Sequence, residues 1–316
     1  MSALRELEDA LFHHDLERVR ACPLSLLQRT DACVNYLTEH GVEDMLVAPL
    51  ACAIQYALNA LRDRRGDKRL LTADGGPTPW GGQMMDGSRE FRVLDYFLNV
   101  CWDLEAPLDG VISREGGRVK LTPLMYALSD HWFRAQGDFL EVAGVLQRLL
   151  RKGVRLWPNP ANHHPWDPYV RASPLCFALH QVHVCPFLFH RFVQVGARLA
   201  PGEGPLAARA CMQGGTAEQG VAALHMLLPL YAGTLFANEA EQVQLARCWN
   251  CEHYIEPELL DALFKLGLRL TPAVRSVLLS DALQDVDAPS RGAEARRAPS
   301  ARGQCTPRFS RPSPPG

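Results

Sequence analysis

The sequence predicts an all-α fold, a row of helical hairpins interrupted by insertions, and two recurrences plus the composition predict it. KGVRLWP at 152–158, VGARLAP at 195–201 and LGLRLTP at 266–272 each read Gly-x-Arg-Leu-x-Pro after an apolar run. TPLMYAL at 122–128 and SPLCFAL at 173–179 are near copies of a second pattern. Recurrence at intervals of a few tens of residues marks repeat architectures. Hydrophobic residues make up 47% of the 316 and charged residues 22%, an ordinary globular balance that excludes collagen, a charged coiled coil and disorder throughout.

Taken in order, DALFHHDLERVRACPL at 9–24 reads as a degenerate first unit. APLACAI at 48–54 is a weaker copy of the Pro-Leu pattern, and 62–89 follows it as an insertion. FRVLDYFLNV at 91–100 leads to VCWDLEAP, a looser copy of the closing pattern with Cys101 in the glycine position. Thr122 and Ser173 are hydroxyl caps, Pro123 and Pro174 suit a first helical position, and Leu124 and Leu175 start the apolar face. LEVAGVLQRLLRKG at 140–153 carries apolar residues at helical spacing and closes on Gly153. The runs ending at Gly196 and Gly267 behave alike, and Gly233 sits in a shorter version, Ala232-Gly233-Thr234-Leu235. Glycine after such a run is expected in the left-handed conformation that ends a helix, since it has no Cβ to clash. The Arg-Leu-x-Pro that follows reads as extended chain. A second insertion is expected at 157–172, WPNPANHHPWDPYVRA.

A capped short helix, a turn, a second helix, a glycine and an extended link resemble the ankyrin repeat, whose signature is T-P-L-H-x-A with a period near 33 residues. The resemblance runs over roughly 5–287 and is strongest at 120–201. The histidine of that signature is replaced by Met125 and Cys176, and successive glycines lie 43, 37 and 34 residues apart, so the array is irregular. The resemblance implies a helical-hairpin solenoid acting as a binding module through its hairpin tips and inner helices. Residues 1–287 would form that domain and 288–316 a tail. The tail holds six Arg, six Pro and four Ser with Glu294 as its sole acid, a composition expected to stay disordered.

Charge and cysteine usage narrow the partner and the compartment. The formal net charge is −2, so no whole-chain field recruits nucleic acid or an acidic membrane. Ten cysteines at irregular spacing, several in apolar runs, read as reduced thiols. The N-terminus mixes charges instead of placing a basic region before an apolar one, so no signal peptide is expected. The compartment expected is the cytoplasm, with the nucleus as the alternative. Gln219–Asn238 lacks Asp, Glu, Lys and Arg, but its Gly220, His225, Pro229 and Gly233 favour a buried helix hairpin over a membrane span.

The candidate partner-binding residues are Trp157, His163, His164, Trp166 and Tyr169 in the second insertion, because aromatic side chains on a link are the residue types that anchor interfaces. The competing reading folds the tryptophans back onto the helices as ties. Cys248, Cys251 and His253 form CWNCEH, half of a zinc-site spacing without its second half, so no metal is assigned there. The sequence has no G-x-S-x-G, no P-loop and no G-x-G-x-x-G, and GGPTPWGGQMMDG at 75–87 reads as a loop. No cofactor and no catalytic residue are expected. The basic run from Arg62 to Arg69 is broken by Asp63 and Asp67 and lacks interleaved aromatics, so it reads as solvated rather than as a nucleic-acid site. The function expected is therefore a non-enzymatic protein-interaction scaffold with an unidentified protein partner. The alternatives are a metal- or thiol-dependent site at 248–253, or a repeat adaptor acting on a host or ubiquitin pathway, for which no motif speaks.

Overall fold

The structure, a computed structural model, describes residues 2–38, 41–63, 88–111, 118–129, 140–164, 167–183, 186–213, 215–249 and 257–278. Most of the 62–89 insertion, the tail from 288, Trp166, Cys251 and His253 lie outside the described residues, as does the side chain of Cys248.

The chain is mostly helical. Helices α1 (Ala3–Phe12), α2 (Leu16–Ala21) and α3 (Leu24–Leu27) lead into strands β1 (Val34–Thr38) and β2 (Gly41–Val47). Then come α4 (Pro49–Asp63), α5 (Arg89–Val100), β3 (Leu108–Val111), β4 (Arg118–Leu121), α6 (Pro123–Ser129) and α7 (Leu140–Arg151). A 3-10 turn at Pro168–Arg171 precedes α8 (Pro174–His180) and α9 (Pro186–Gln194). The described chain closes with α10 (Gly204–Met212), α11 (Ala217–Tyr231), α12 (Glu239–Trp249), α13 (Pro257–Lys265) and the helical residues 272–278.

Helices pack as sequential pairs: α1 with α2, α4 with α5, α6 with α7, α8 with α9 and α10 with α11. First helices also pack on the first helices of later pairs, α4 on α6, α8 on α10 and α10 on α12, while α11 packs on α13. One apolar cluster runs through these contacts and includes Leu11, Phe91, Phe97, Leu121, Phe177 and Phe192.

Local chemistry explains the boundaries. Ser173 Oγ accepts from the Cys176 N–H at 3.3 Å and Thr122 Oγ1 from the Met125 N–H at 3.5 Å, so both hydroxyls cap as expected. Gly153, Gly196 and Gly267 stand at φ of 77°, 86° and 108°. After each, two N–H groups turn back into the helix; at Gly196 they reach Val193 O at 3.0 Å and, from Ala197, Phe192 O at 2.9 Å. His14 holds the same place after α1 at φ 52°, a conformation rare for a residue with a Cβ. Gly233 is also left-handed, but its N–H bonds across to Lys265 O. Cys101 departs from the expected pattern: its φ is −76°, and its N–H ends α5 with an ordinary bond to Phe97 O.

The residue before three of the helix-starting prolines has a second role. Its backbone N–H donates to the following link: Ala48 to Asp109 O at 2.7 Å, Thr122 to Asn162 Oδ1 at 2.8 Å and Ser173 to Glu203 Oε1 at 2.6 Å. An extended residue ahead of proline leaves this N–H outside any ladder of its own helix, so the next link satisfies it. Asn162, 1% exposed, also donates from Nδ2 to Val170 O at 2.9 Å, which ties the start of α6 to the turn before α8.

The four strands were not expected from the sequence. β1 pairs antiparallel with β2, and β3 with β4. They carry the links sideways: Asp109 donates its N–H to Thr30 O, and His163 exchanges backbone bonds with Lys120 at 2.6 and 2.9 Å. The 157–172 segment is thus no independent insertion, because its middle is paired to β4.

Candidate functional site

The structure separates the five predicted partner-binding residues. Trp157 is 61% exposed on the link after α7. His163 is exposed, with its backbone held by Lys120. His164 is half-buried and its Nδ1 accepts from the Asp167 N–H at 3.1 Å. Trp166 lies outside the described residues. Tyr169 is turned inward, 4% exposed, and this corrects its expected place on the binding surface.

Tyr169 is held by chemistry that explains its burial. Its ring stacks on His180 with centroids 4.1 Å apart and planes 12° apart. Its hydroxyl lies 2.7 Å from the Gln213 side-chain amide, whose oxygen accepts from Arg209 Nε at 2.9 Å. Asp167 Oδ1 accepts from the Tyr169 N–H at 2.9 Å and starts the 3-10 turn. A buried tyrosine with its hydroxyl satisfied is a tie between link and helices, the competing reading that sequence offered for the tryptophans. Trp157 does not behave that way.

A second exposed indole was missed. Trp102, 82% exposed, follows α5 directly. The VCWDLEAP copy pointed to this link, and a tryptophan just past a helix end was the available signal. The Trp102 and Trp157 links are neighbours, joined through Glu105. Its Oε1 accepts from the Arg155 N–H at 2.7 Å, and its carbonyl accepts from Asn159 Nδ2 at 3.1 Å. Asp103 Oδ1 folds the first link by accepting from the Glu105 and Ala106 N–H groups at 2.9 and 3.2 Å. Both indoles therefore stand on hydrogen-bonded backbone, which lowers the ordering entropy lost when an apolar group packs on them.

Arg155, the arginine of the first Gly-x-Arg-Leu copy, is exposed on the Trp157 link, with Arg151 and Lys152 at the end of α7; Arg198, its counterpart in the second copy, is exposed on the link after α9. Among the described residues, none of the four forms an ion pair; Lys152 bonds the uncharged Asn99 side chain. Arg148 is different: it is buried, its guanidinium lies 4.2 Å over the Phe91 ring, and its Nε meets Asp95 at 2.9 Å, tying α7 to α5.

A polar constellation occupies the turn after α1. The His14 ring meets Tyr56 edge-on at 5.0 Å, and its Nε2 lies 3.9 Å from Glu90 Oε1. Burial holds the His14 imidazole below its ordinary pKa, against the opposing pull of Glu90. Tyr56 packs on Tyr36, whose hydroxyl contacts Asn59 Nδ2. The thiols Cys22, Cys33, Cys52, Cys101, Cys176 and Cys211 are free. Burial raises them, Cys101 to about 11 and Cys52, Cys176 and Cys211 further, so they remain thiols at neutral pH.

Among the described residues, no group of three or more His, Cys, Asp or Glu converges as a metal site. No described helix is long and apolar enough to cross a membrane; Gln219–Asn238 divides into most of α11 and the turn after it. Compared with known proteins, the chain matches no family model, no curated protein and no solved structure.

Proposed function

We propose that the chain is a stacked helical-hairpin repeat protein of ankyrin-like build that acts as a non-enzymatic protein-interaction scaffold, cytoplasmic or nuclear. The observation that carries this reading is the pair of exposed indoles, Trp102 and Trp157, on neighbouring links that Glu105 fixes to each other. Tryptophan and arginine are the residue types most enriched among those that dominate binding energy, and here both stand on one edge. The stitch before three helix-starting prolines supports the row of units, since the N–H of Ala48, Thr122 and Ser173 each donates to the following link, although the acceptor differs. In such an array each unit leans on its neighbours and the links line one side.

The test is affinity capture from the source cells with the full chain as bait, comparing wild type, Trp157→Ala and Trp102→Ala. A protein recovered by wild type and lost with the indole variants is the expected result. Recovery of nothing beyond an unrelated bait would overturn the scaffold reading.

A further inference from the structure

We infer that the edge formed by the links after α5 and α7 is self-complementary and docks a second copy of this chain about a two-fold axis, with Trp102 and Trp157 at the centre of the contact. The inference rests on the scaffold reading and names the partner of that same edge.

The two links leave adjacent ends of parallel helices. Arg148 bonds Asp95 and Lys152 bonds Asn99, each across 53 residues, so α5 and α7 advance in the same direction at constant register. Asn159 and Glu105 continue that register past the helix ends, across 54 residues. Trp102 therefore stands level with Arg155, and the two indoles, 82% and 61% exposed, emerge side by side.

Charge divides between the links. The first carries Asp103 and Glu105; the second carries Arg155, with Arg151 and Lys152 where α7 ends. Among the described residues none of these five is in an ion pair, and the two acids accept from backbone N–H groups and keep their charge. A ligand of one sign meets its complement on one link and its like on the other. A surface bearing both signs in the opposite order meets only complements, and the same edge turned over is such a surface. A two-fold axis running between the links and parallel to them sets the acidic link of each copy on the cationic link of the other. It also brings the partner's Arg155 level with Trp102, where a guanidinium over an indole adds a cation–π contact. An axis across the links would stack acid on acid and cation on cation, so charge selects one arrangement.

Area sets the strength. At about 150–250 Å² per buried tryptophan, the exposed fractions of the two indoles supply roughly 200–350 Å² per copy and twice that across the dimer. A stable interface needs ~1,200 Å², and the long stems of Arg151, Lys152 and Arg155 add to the indoles without making a large contact. The dimer is therefore reversible, with a dissociation constant of about 1–100 μM.

Sedimentation velocity on the full chain from about 1 to 200 μM, at low and high salt, tests this. Wild type should pass from monomer to dimer, and no further, as concentration rises. W102A/W157A and R151E/R155E should each weaken the dimer at least roughly tenfold with melting little changed. Added salt should weaken the wild-type dimer yet strengthen what association remains in R151E/R155E, where acid meets acid. D103N keeps the acceptor that folds its link and loses only the charge, so it should weaken the dimer in the same direction by less. A chain monomeric throughout, a dimer indifferent to either variant pair, or growth into higher oligomers would each overturn the inference. If it fails while capture of another protein still depends on Trp157, the scaffold reading stands with a different partner. If capture fails too, both fall.

Discussion

Removing the Asn162 side chain should cost far more than its size suggests. Asn162→Ala strips the Thr122 N–H of its acceptor and the Val170 carbonyl of its donor. Thr122 and Val170 are themselves buried, so water does not replace the lost partners. A buried polar group left unsatisfied costs about 1–3 kcal/mol, which puts the sum at about 2–6 kcal/mol. At ~2–4 °C per kcal/mol for a chain of this order of size, the melting temperature should drop by roughly 5–20 °C. Asn162→Asp is the informative companion. It keeps an acceptor for Thr122 but faces a carboxylate to the Val170 carbonyl, so it should also destabilise strongly. Asn159→Ala removes a part-buried bond to the Glu105 carbonyl and an exposed one from the Ala161 N–H, and should cost about 1–2 kcal/mol. Urea unfolding of the full chain, read by far-ultraviolet circular dichroism, measures all three. A loss for Asn162→Ala within about 0.5 kcal/mol of zero, or equal to that of Asn159→Ala, would refute the stitch as a stabilising element.

Other expectations follow from the same geometry. Gly267→Ala should exceed the ~1–2 kcal/mol of a left-handed alanine, because its Cβ would stand 2.8 Å from the Gly233 backbone, whereas Gly233→Ala meets nothing within 4 Å; paired thermal melts compare them. His14 is kept neutral by burial, so its folded pKa lies below its unfolded value of about 6.5. The unfolded chain then binds the proton first, and stability present above that pH is lost as pH falls through the window below it. His14→Asn, which tolerates the left-handed backbone, should flatten this loss when unfolding free energy is followed from neutral to mildly acid pH. Cys52, Cys176 and Cys211 should resist a thiol-specific chromogenic reagent in the native chain and react on unfolding; fast native labelling would contradict their burial.

The helix ends were legible in the sequence because caps and left-handed glycines are local. A hydroxyl at Thr122 or Ser173 and a missing Cβ at Gly153, Gly196 or Gly267 act within one turn of chain, whatever packs against them. The strands at 34–47 and 108–121 were missed because such short segments form by pairing across a link. In hindsight the alternation of Arg118-Val119-Lys120-Leu121, with Val119 and Leu121 buried, carried a weak signal. The candidate site was divided in place: of the two readings that the sequence left open for Trp157 the structure has it facing solvent, Tyr169 is consumed by His180 and Gln213, and Trp102, which the sequence analysis did not single out, is exposed on the neighbouring link.

Taken alone, the amino-acid order determined where helices begin and stop, which faces are apolar and which arginines recur. Tertiary structure decided which aromatics remain in water and which polar groups close the gaps between units. Those outcomes depend on bonds spanning 40 residues from Thr122 to Asn162, 30 from Ser173 to Glu203 and 50 from Glu105 to Arg155. No local propensity encodes such partners, because a donor or an indole is buried only if a distant segment arrives to cover it.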